Sequence, residues 1–191
     1  PVTAAAAAHA GVQTVVLHDE RGAGFYAVGY ARACGRAAAV VVTSGTAVAN
    51  LLPAIVEASA ERLPLVVISA DRPAELRDAG ANQTIDQVRI FGGFVRRCED
   101  LPPPDGSAVA LRALLTTVGT SVSCAHGLDG SPAGPVQLNV QFREPLEPRA
   151  VVAWDARACL CGTRIQAWLR SRRPFTLHAP GLSVSLSLIH I

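Results

Sequence analysis

Three apolar, largely β-branched runs punctuate the first seventy positions: Thr14-Val15-Val16-Leu17, Ala38 to Thr43, and Leu65 to Ser69. Each is short and ends in polar residues, which is the pattern of a strand buried on both faces. Between the first two, Phe25, Ala27, Val28, Tyr30, Ala31 and Ala33 recur at helical spacing, and Gly35 supplies a C-terminal stop. Between the second and third, Ala47, Val48, Leu51, Leu52, Ile55 and Val56 do the same, with Ser44 expected as the helix cap and Pro53 as a kink. Pro1 to Ala10 reads as an alanine-rich helical piece that Gly11 ends. Apolar strands alternating with helices predict an α/β fold: a doubly wound, mostly parallel sheet covered on both faces.

Past the third strand the pattern loosens. Glu75 to Gln87 is polar and reads as a loop with a short helical turn, and Phe94 to Leu101 as a fourth strand. Pro102 to Gly106 is a break, Ser107 caps a helix over Ala108 to Val118, and Pro135 to Val140 forms a final strand. The domain is expected to span residues 1–148, followed by a linker and helix over 149–181, with Trp154 and Trp168 on a helix over 154–170. The last stretch, 182–191, is low in complexity and is expected to pack poorly. The chain contains no methionine and opens on Pro-Val-Thr in a helix start, so it is expected to be a piece of a longer protein that lacks the first strand of its domain.

Composition narrows the class without naming a chemistry. Half the residues are apolar and 17% are charged, which supports a core and excludes disorder. A net charge of +2, with no basic block interleaved with aromatics, argues against nucleic acid as a partner. The five cysteines are odd in number and lack CxxC spacing, the pattern of reduced thiols in an intracellular, soluble protein. No run has the ~20 apolar residues of a membrane span, and the start lacks the features of a signal peptide.

Candidate chemistry lies at the strand ends, because open parallel sheets bind ligands beyond the carboxyl ends of their strands. The first run ends in His18-Asp19-Glu20-Arg21, the second in Ser44-Gly45-Thr46, and the third in Asp71-Arg72, with Asn82-Gln83 in the loop beyond. Gly22-x-Gly24 is not the dinucleotide fingerprint, no phosphate-binding GxxxxGK[ST] exists, and Ser44-Gly45 lacks a nucleophile elbow. The histidines have no metal-ligand spacing, so no protein-bound metal site is expected. Each candidate also has a plain structural use: Glu20 could pair with Arg21 or cap its helix, Arg72 could pair with Asp71, and Asn82 could hold a turn.

Taken in order, five segments resemble the 2-succinyl-5-enolpyruvyl-6-hydroxy-3-cyclohexene-1-carboxylate synthase family. They are Asp19-Glu20-Arg21-Gly22, Thr43 to Asn50, Ser69 to Leu76, Gly80 to Ile85, and Asn139 to Leu146. The resemblance covers Pro1 to about Pro148 and implies the N-terminal, pyrimidine-binding domain of a thiamine-diphosphate enzyme of menaquinone and phylloquinone synthesis. It assigns Glu20 to N1′ of the aminopyrimidine, where a shared proton favours the imino tautomer that activates thiazolium C2. Ser44 and Thr46 would lie at the turn near the pyrimidine, and Arg72, Asn82 and Gln83 would meet the second substrate. The implied reaction decarboxylates 2-oxoglutarate and adds the succinyl unit to isochorismate, in a homo-oligomer that also binds Mg2+. Such an enzyme would reside in a bacterial cytoplasm or in a plant or algal chloroplast.

Three departures accompany the resemblance. The family's Pro-Gly-Ser-Arg-Ser segment would precede Pro1, its Gly-Asp-Gly magnesium motif is absent here, since Leu128 precedes Asp129-Gly130, and Gln141 replaces a usual proline. The Mg2+ ligands are therefore expected in a C-terminal domain outside this chain. Another thiamine-diphosphate enzyme, such as acetolactate synthase, fits less well: that group usually carries a histidine before the glutamate and Gly-Pro-Gly at the Ser44 turn. A cofactor-free binding module is the remaining alternative.

Overall fold

The computed structural model describes residues 1–105, 107–146, 164–171, 173–176 and 178. Its centre is a four-stranded sheet formed by β1 (Ala38–Val42), β2 (Leu65–Asp71), β3 (Arg97–Leu101) and β4 (Pro135–Gln141). All neighbours are parallel, in the order β1-β2-β4-β3. The register sets Val40 beside Val67, Ser69 beside Asn139, and Asp100 beside Asn139.

Side-chain alternation divides the core in two. Val40, Val42, Leu65 and Val67 face α2 (Glu20–Cys34) and α4 (Leu52–Ala60), which add Val28, Ile55 and Ala58, with Leu51 and Phe91 beside them. The opposite face, Val66, Val136 and Leu138, meets Val118, Cys124 and Ala125 of α5 (Ala108–Ala125). Helices on both faces make the sheet doubly wound, as predicted. Each fully buried side chain such as Ile55 or Leu51 contributes about 1.5–3 kcal/mol of transfer free energy, so the larger cluster on the α2–α4 face dominates.

The helix ends follow local chemistry. Asp19 caps α2 by accepting from the Arg21 N–H at 2.8 Å, and Gly35 ends it in the left-handed region at φ 65°. Ser107 caps α5, accepting from the Ala110 N–H at 3.1 Å. The helix runs on past the expected end at Val118 to Ala125, because Cys124 and Ala125 bury against the sheet and outweigh the weak helix preference of Gly119 to Ser121. Pro53 does not kink a continuous helix. Having no N–H for the Ala49 carbonyl, it sits in the first turn of α4, and a separate single turn, α3 (Thr46–Ala49), precedes it.

The expected strand at Thr14–Leu17 does not form. The segment carries no ladder hydrogen bonds, and Val15 and Val16 are 54% and 85% exposed. Apolar β-branched sequence favours an extended backbone, but a strand also needs a neighbour, and this segment pairs with none of the sheet's strands. The N-terminal helix α1 (Val2–Ala8) buries no residue. At the other end α6 (Arg164–Ser171) overlaps the second half of the helix expected at 154–170 and ends one residue past it, and Trp168 meets Phe175 edge-on at 5.6 Å. All of 149–163, Trp154 included, and the 182–191 tail lie outside the described residues.

Candidate active site

The loops after β1 and β2 meet at the carboxyl edge. After β1 the chain passes through Thr43 and Ser44 to Gly45, whose φ of 78° turns it into α3. A Cβ on Gly45 would lie 3.1 Å from both Cγ and the carbonyl oxygen of Gln83, so the residue serves the turn and the close approach together. Ser44 is not the helix cap that its position suggested. Its hydroxyl donates to the Gln83 carbonyl at 2.9 Å, while Gln83 Nε2 donates to the Ser44 carbonyl at 2.9 Å and to Thr43 Oγ1 at 3.2 Å. The two segments are thus locked from both sides.

Beneath them lies a buried polar network that the strand pattern concealed. Gln87 is fully buried and donates to the Ala70 carbonyl at 2.9 Å and to Asn139 Oδ1 at 2.7 Å, and its own Oε1 accepts from the Gly45 N–H at 3.0 Å. Asn139 donates to Asp71 Oδ2 and to Asp100 Oδ1, both at 2.8 Å. Arg77 closes the group, 2.8 Å from Asp71 Oδ2 and 3.0 Å from both oxygens of Asp100. Burial works against the charge on Asp100, yet hydrogen bonds from Arg77, Asn139 and Gln141 outweigh it and hold the carboxyl below its ordinary range. The Arg77 guanidinium is held above its ordinary value, first by its hydrogen bond to Asp100. Gln141, where the resembled family usually has proline, bridges Asp100 at 3.1 Å and the Ala74 N–H at 3.2 Å.

A cavity of about 360 Å³ opens beside this edge, lined by Ser44, Arg72 and Gln83 and walled by Val41, Ile68 and Phe142. Arg72 is three-quarters buried, and its guanidinium makes two long contacts, 3.5 Å to the Asn82 carbonyl and 3.9 Å to Glu144. Among the described residues no closer partner satisfies those donors, which leaves them available to an anionic ligand. Asp71 is not the partner of this side chain, because its carboxylate belongs to Arg77 and takes only the backbone N–H of Arg72, at 2.7 Å.

Glu20 stands apart. It is the first residue of α2, whose far end feeds β1, so it lies at the same end of the sheet without lining the cavity. It is half-buried, and the Asn50 Nδ2 donates to its Oε2 at a long 3.5 Å. The pairing with Arg21 is absent, since Arg21 binds Asp19 at 2.6 Å and pulls that carboxyl well below its usual range. Thr46 heads α3 and, like Asn82, does not line the cavity. The structure therefore gathers Ser44, Arg72 and Gln83 on one cavity, brings Asn82 in through its carbonyl, and sets Glu20 and Thr46 at the heads of α2 and α3. Among the described residues there is no cluster of three His, Cys, Asp or Glu side chains able to hold a metal, and no helix long and apolar enough to cross a membrane.

Residues 1–90 match the family model described as thiamine pyrophosphate enzyme, N-terminal TPP binding domain. The parallel sheet and the loops gathered at its carboxyl edge thus belong to the class of thiamine pyrophosphate enzymes. The chain is 57% identical over 150 residues to the 2-succinyl-5-enolpyruvyl-6-hydroxy-3-cyclohexene-1-carboxylate synthase of Chlorobaculum parvum, a match covering 78% of this chain and 25% of that protein. It is 48% identical over 188 residues to the synthase of that name from Chlorobium phaeovibrioides and 49% identical over 180 residues to the one from Salinibacter ruber, each match covering 94% of this chain and 29% of the relative. Within the class, the chain belongs to the 2-succinyl-5-enolpyruvyl-6-hydroxy-3-cyclohexene-1-carboxylate synthase family. It spans between 25% and 29% of the length of these three relatives.

Proposed function

We propose that residues 1–148 are the pyrimidine-binding portion of a thiamine-diphosphate-dependent transferase that decarboxylates 2-oxoglutarate and adds the succinyl unit to isochorismate, a step toward menaquinone or phylloquinone. The observation that carries this reading is the cavity where Arg72 and Gln83, from one loop, face Ser44, from another, with the Arg72 donors open. Thiamine diphosphate, when bound, supplies an electron sink for the decarboxylated carbon. Glu20 fits the aminopyrimidine: a half-buried carboxylate at a helix head, with the Asn50 amide beside it, can hold a proton at N1′. Ser44 and Thr46 form the turn near the ring. Arg72 orients a carboxylate of isochorismate through its fork, and Asn82 and Gln83 fix the loop that carries the second substrate.

The diphosphate and Mg2+ are assigned to parts of the longer protein, in a homo-oligomer, with 149–181 leading toward its next domain. The enzyme would act in a bacterial cytoplasm or a plant or algal chloroplast. The test is the complete reading frame, expressed and assayed with 2-oxoglutarate and isochorismate. Carbon-dioxide release from 2-oxoglutarate together with an isochorismate-dependent product is the expected result. Turnover of pyruvate in its place would assign the chain to another thiamine-diphosphate activity.

A further inference from the structure

We infer that Gln87 is a positioning residue that sets the width of the cavity mouth by tying the Ser44 turn and the Arg72–Gln83 loop to the same point of the sheet. This inference rests on the functional reading above only for the identity of the substrate. Gln87 is fully buried, and every polar atom of its side chain is used. One oxygen holds the Gly45 N–H of the first loop, and two N–H groups hold the end of β2 at Ala70 and the side chain of Asn139 on β4. Its backbone carbonyl takes a further bond from Gln137 Nε2 at 3.2 Å.

The geometry makes this a coupling device. Gln83, one loop turn earlier, bonds the same Ser44–Gly45 segment from the solvent side, so the segment is gripped from above by Gln83 and from below by Gln87. The upper grip consists of groups that themselves line the cavity and that a ligand could displace. The lower grip is buried, and no ligand reaches it. Gln87 therefore keeps the two lips of the cavity in register when the upper bonds exchange for bonds to substrate, and Asn139 holds Gln87 in orientation because its other end is fixed by Asp71 and Asp100. Gln87 itself is fully buried and does not line the cavity.

The test uses two variants and a control. Gln87→Leu keeps the volume and removes all three side-chain bonds, whereas Gln87→Glu keeps the acceptor for Gly45 and loses the two donated bonds. Val136→Ala, in the core on the α5 face, supplies a general loss of stability for comparison. Hydrogen exchange on the 191-residue chain should show the amides of 43–46 and 80–87 exchanging ~10-fold faster or more in Gln87→Leu, with 66–68 and 136–138 unchanged. Gln87→Glu should loosen 80–87 while the Gly45 amide stays protected, and this variant decides the matter if Gln87→Leu does not fold. In the full-length enzyme, isochorismate KM should rise ~10- to 100-fold with kcat nearly unchanged. Exchange that accelerates evenly over the sheet, as in Val136→Ala, would overturn the inference, as would loosened lips with an unchanged KM. A wild-type enzyme that ignores isochorismate would instead refute the functional reading and leave the exchange result to judge Gln87.

Discussion

Glu20 and Gly24 sit one turn apart on α2, and each fixes something the other needs. In the role proposed for Glu20, Glu20→Gln would keep the shape and a hydrogen bond to N1′ but lose the proton exchange that sets the tautomer. In the full-length enzyme kcat should fall by ~10²–10⁴-fold with a smaller change in KM, read from carbon-dioxide release in single turnovers; formation of the first intermediate at the wild-type rate would sink the assignment. Gly24 sets how closely α2 approaches α4, because a Cβ there would come within 2.7 Å of Ala54 Cβ and 3.2 Å of a Leu51 methyl. Gly24→Ala gains about 1 kcal/mol of helix preference and loses about 1–3 kcal/mol to overpacking. A net loss of stability in urea titration is expected, and Ala54→Gly should recover most of it. If Gly24→Ala stabilises the chain, the helices are not in contact there. Glu20 was legible because it follows an apolar run and leads a helix. Gln87 and Asn139 were not, since their meaning lies in partners up to 70 residues away and a lone polar residue carries no local sign of them.

Among the elements, the loop from Arg72 to Gln87 has little regular structure and is held by the triad of Asp71, Arg77 and Asp100 in place of a ladder. Asp71 is almost completely buried, so Arg77→Ala leaves a carboxylate without its cation and should cost about 3–5 kcal/mol. Acid undoes the same anchor. Because the Asp100 carboxyl is held below its ordinary value when folded, its contribution is fully present above the unfolded value of ~3.9 and is lost as pH falls through the lower folded value. Asp100→Asn should therefore flatten the acid limb of stability measured by urea titration at successive pH values. An unaltered limb would show that Asp100 is not the linked group. The sequence predicted β1, β2 and β4 to within two residues at either end, because each is apolar on at least one full face. It failed at Thr14–Leu17, where propensity had no partner, and at the end of α5, where burial extended a helix past residues that do not favour one.

For the molecule as a whole, cofactor affinity should be the property most visibly missing from the isolated chain. If Glu20 holds the pyrimidine ring as proposed, that contact and a few apolar ones cannot offset an association cost of at least ~4 kcal/mol. Thiamine diphosphate titrated calorimetrically into the 191-residue chain should give no saturable signal, and a tight magnesium-dependent isotherm would refute the proposed division of labour. The doubly wound class was readable because the alternation of strand and helix is global, while strand order was not, since crossovers leave no trace in local pattern. That order has a consequence for biosynthesis. β4 is the last of the four strands to be synthesised, yet it lies between β2 and β3, so β3 has no neighbour in the sheet until Pro135 to Gln141 have left the ribosome. A released chain truncated at residue 134 should unfold without cooperativity in pulse proteolysis, whereas one truncated at residue 146 should resist; protection of the shorter chain would mean that β1 and β2 fold as a pair before the centre of the sheet arrives.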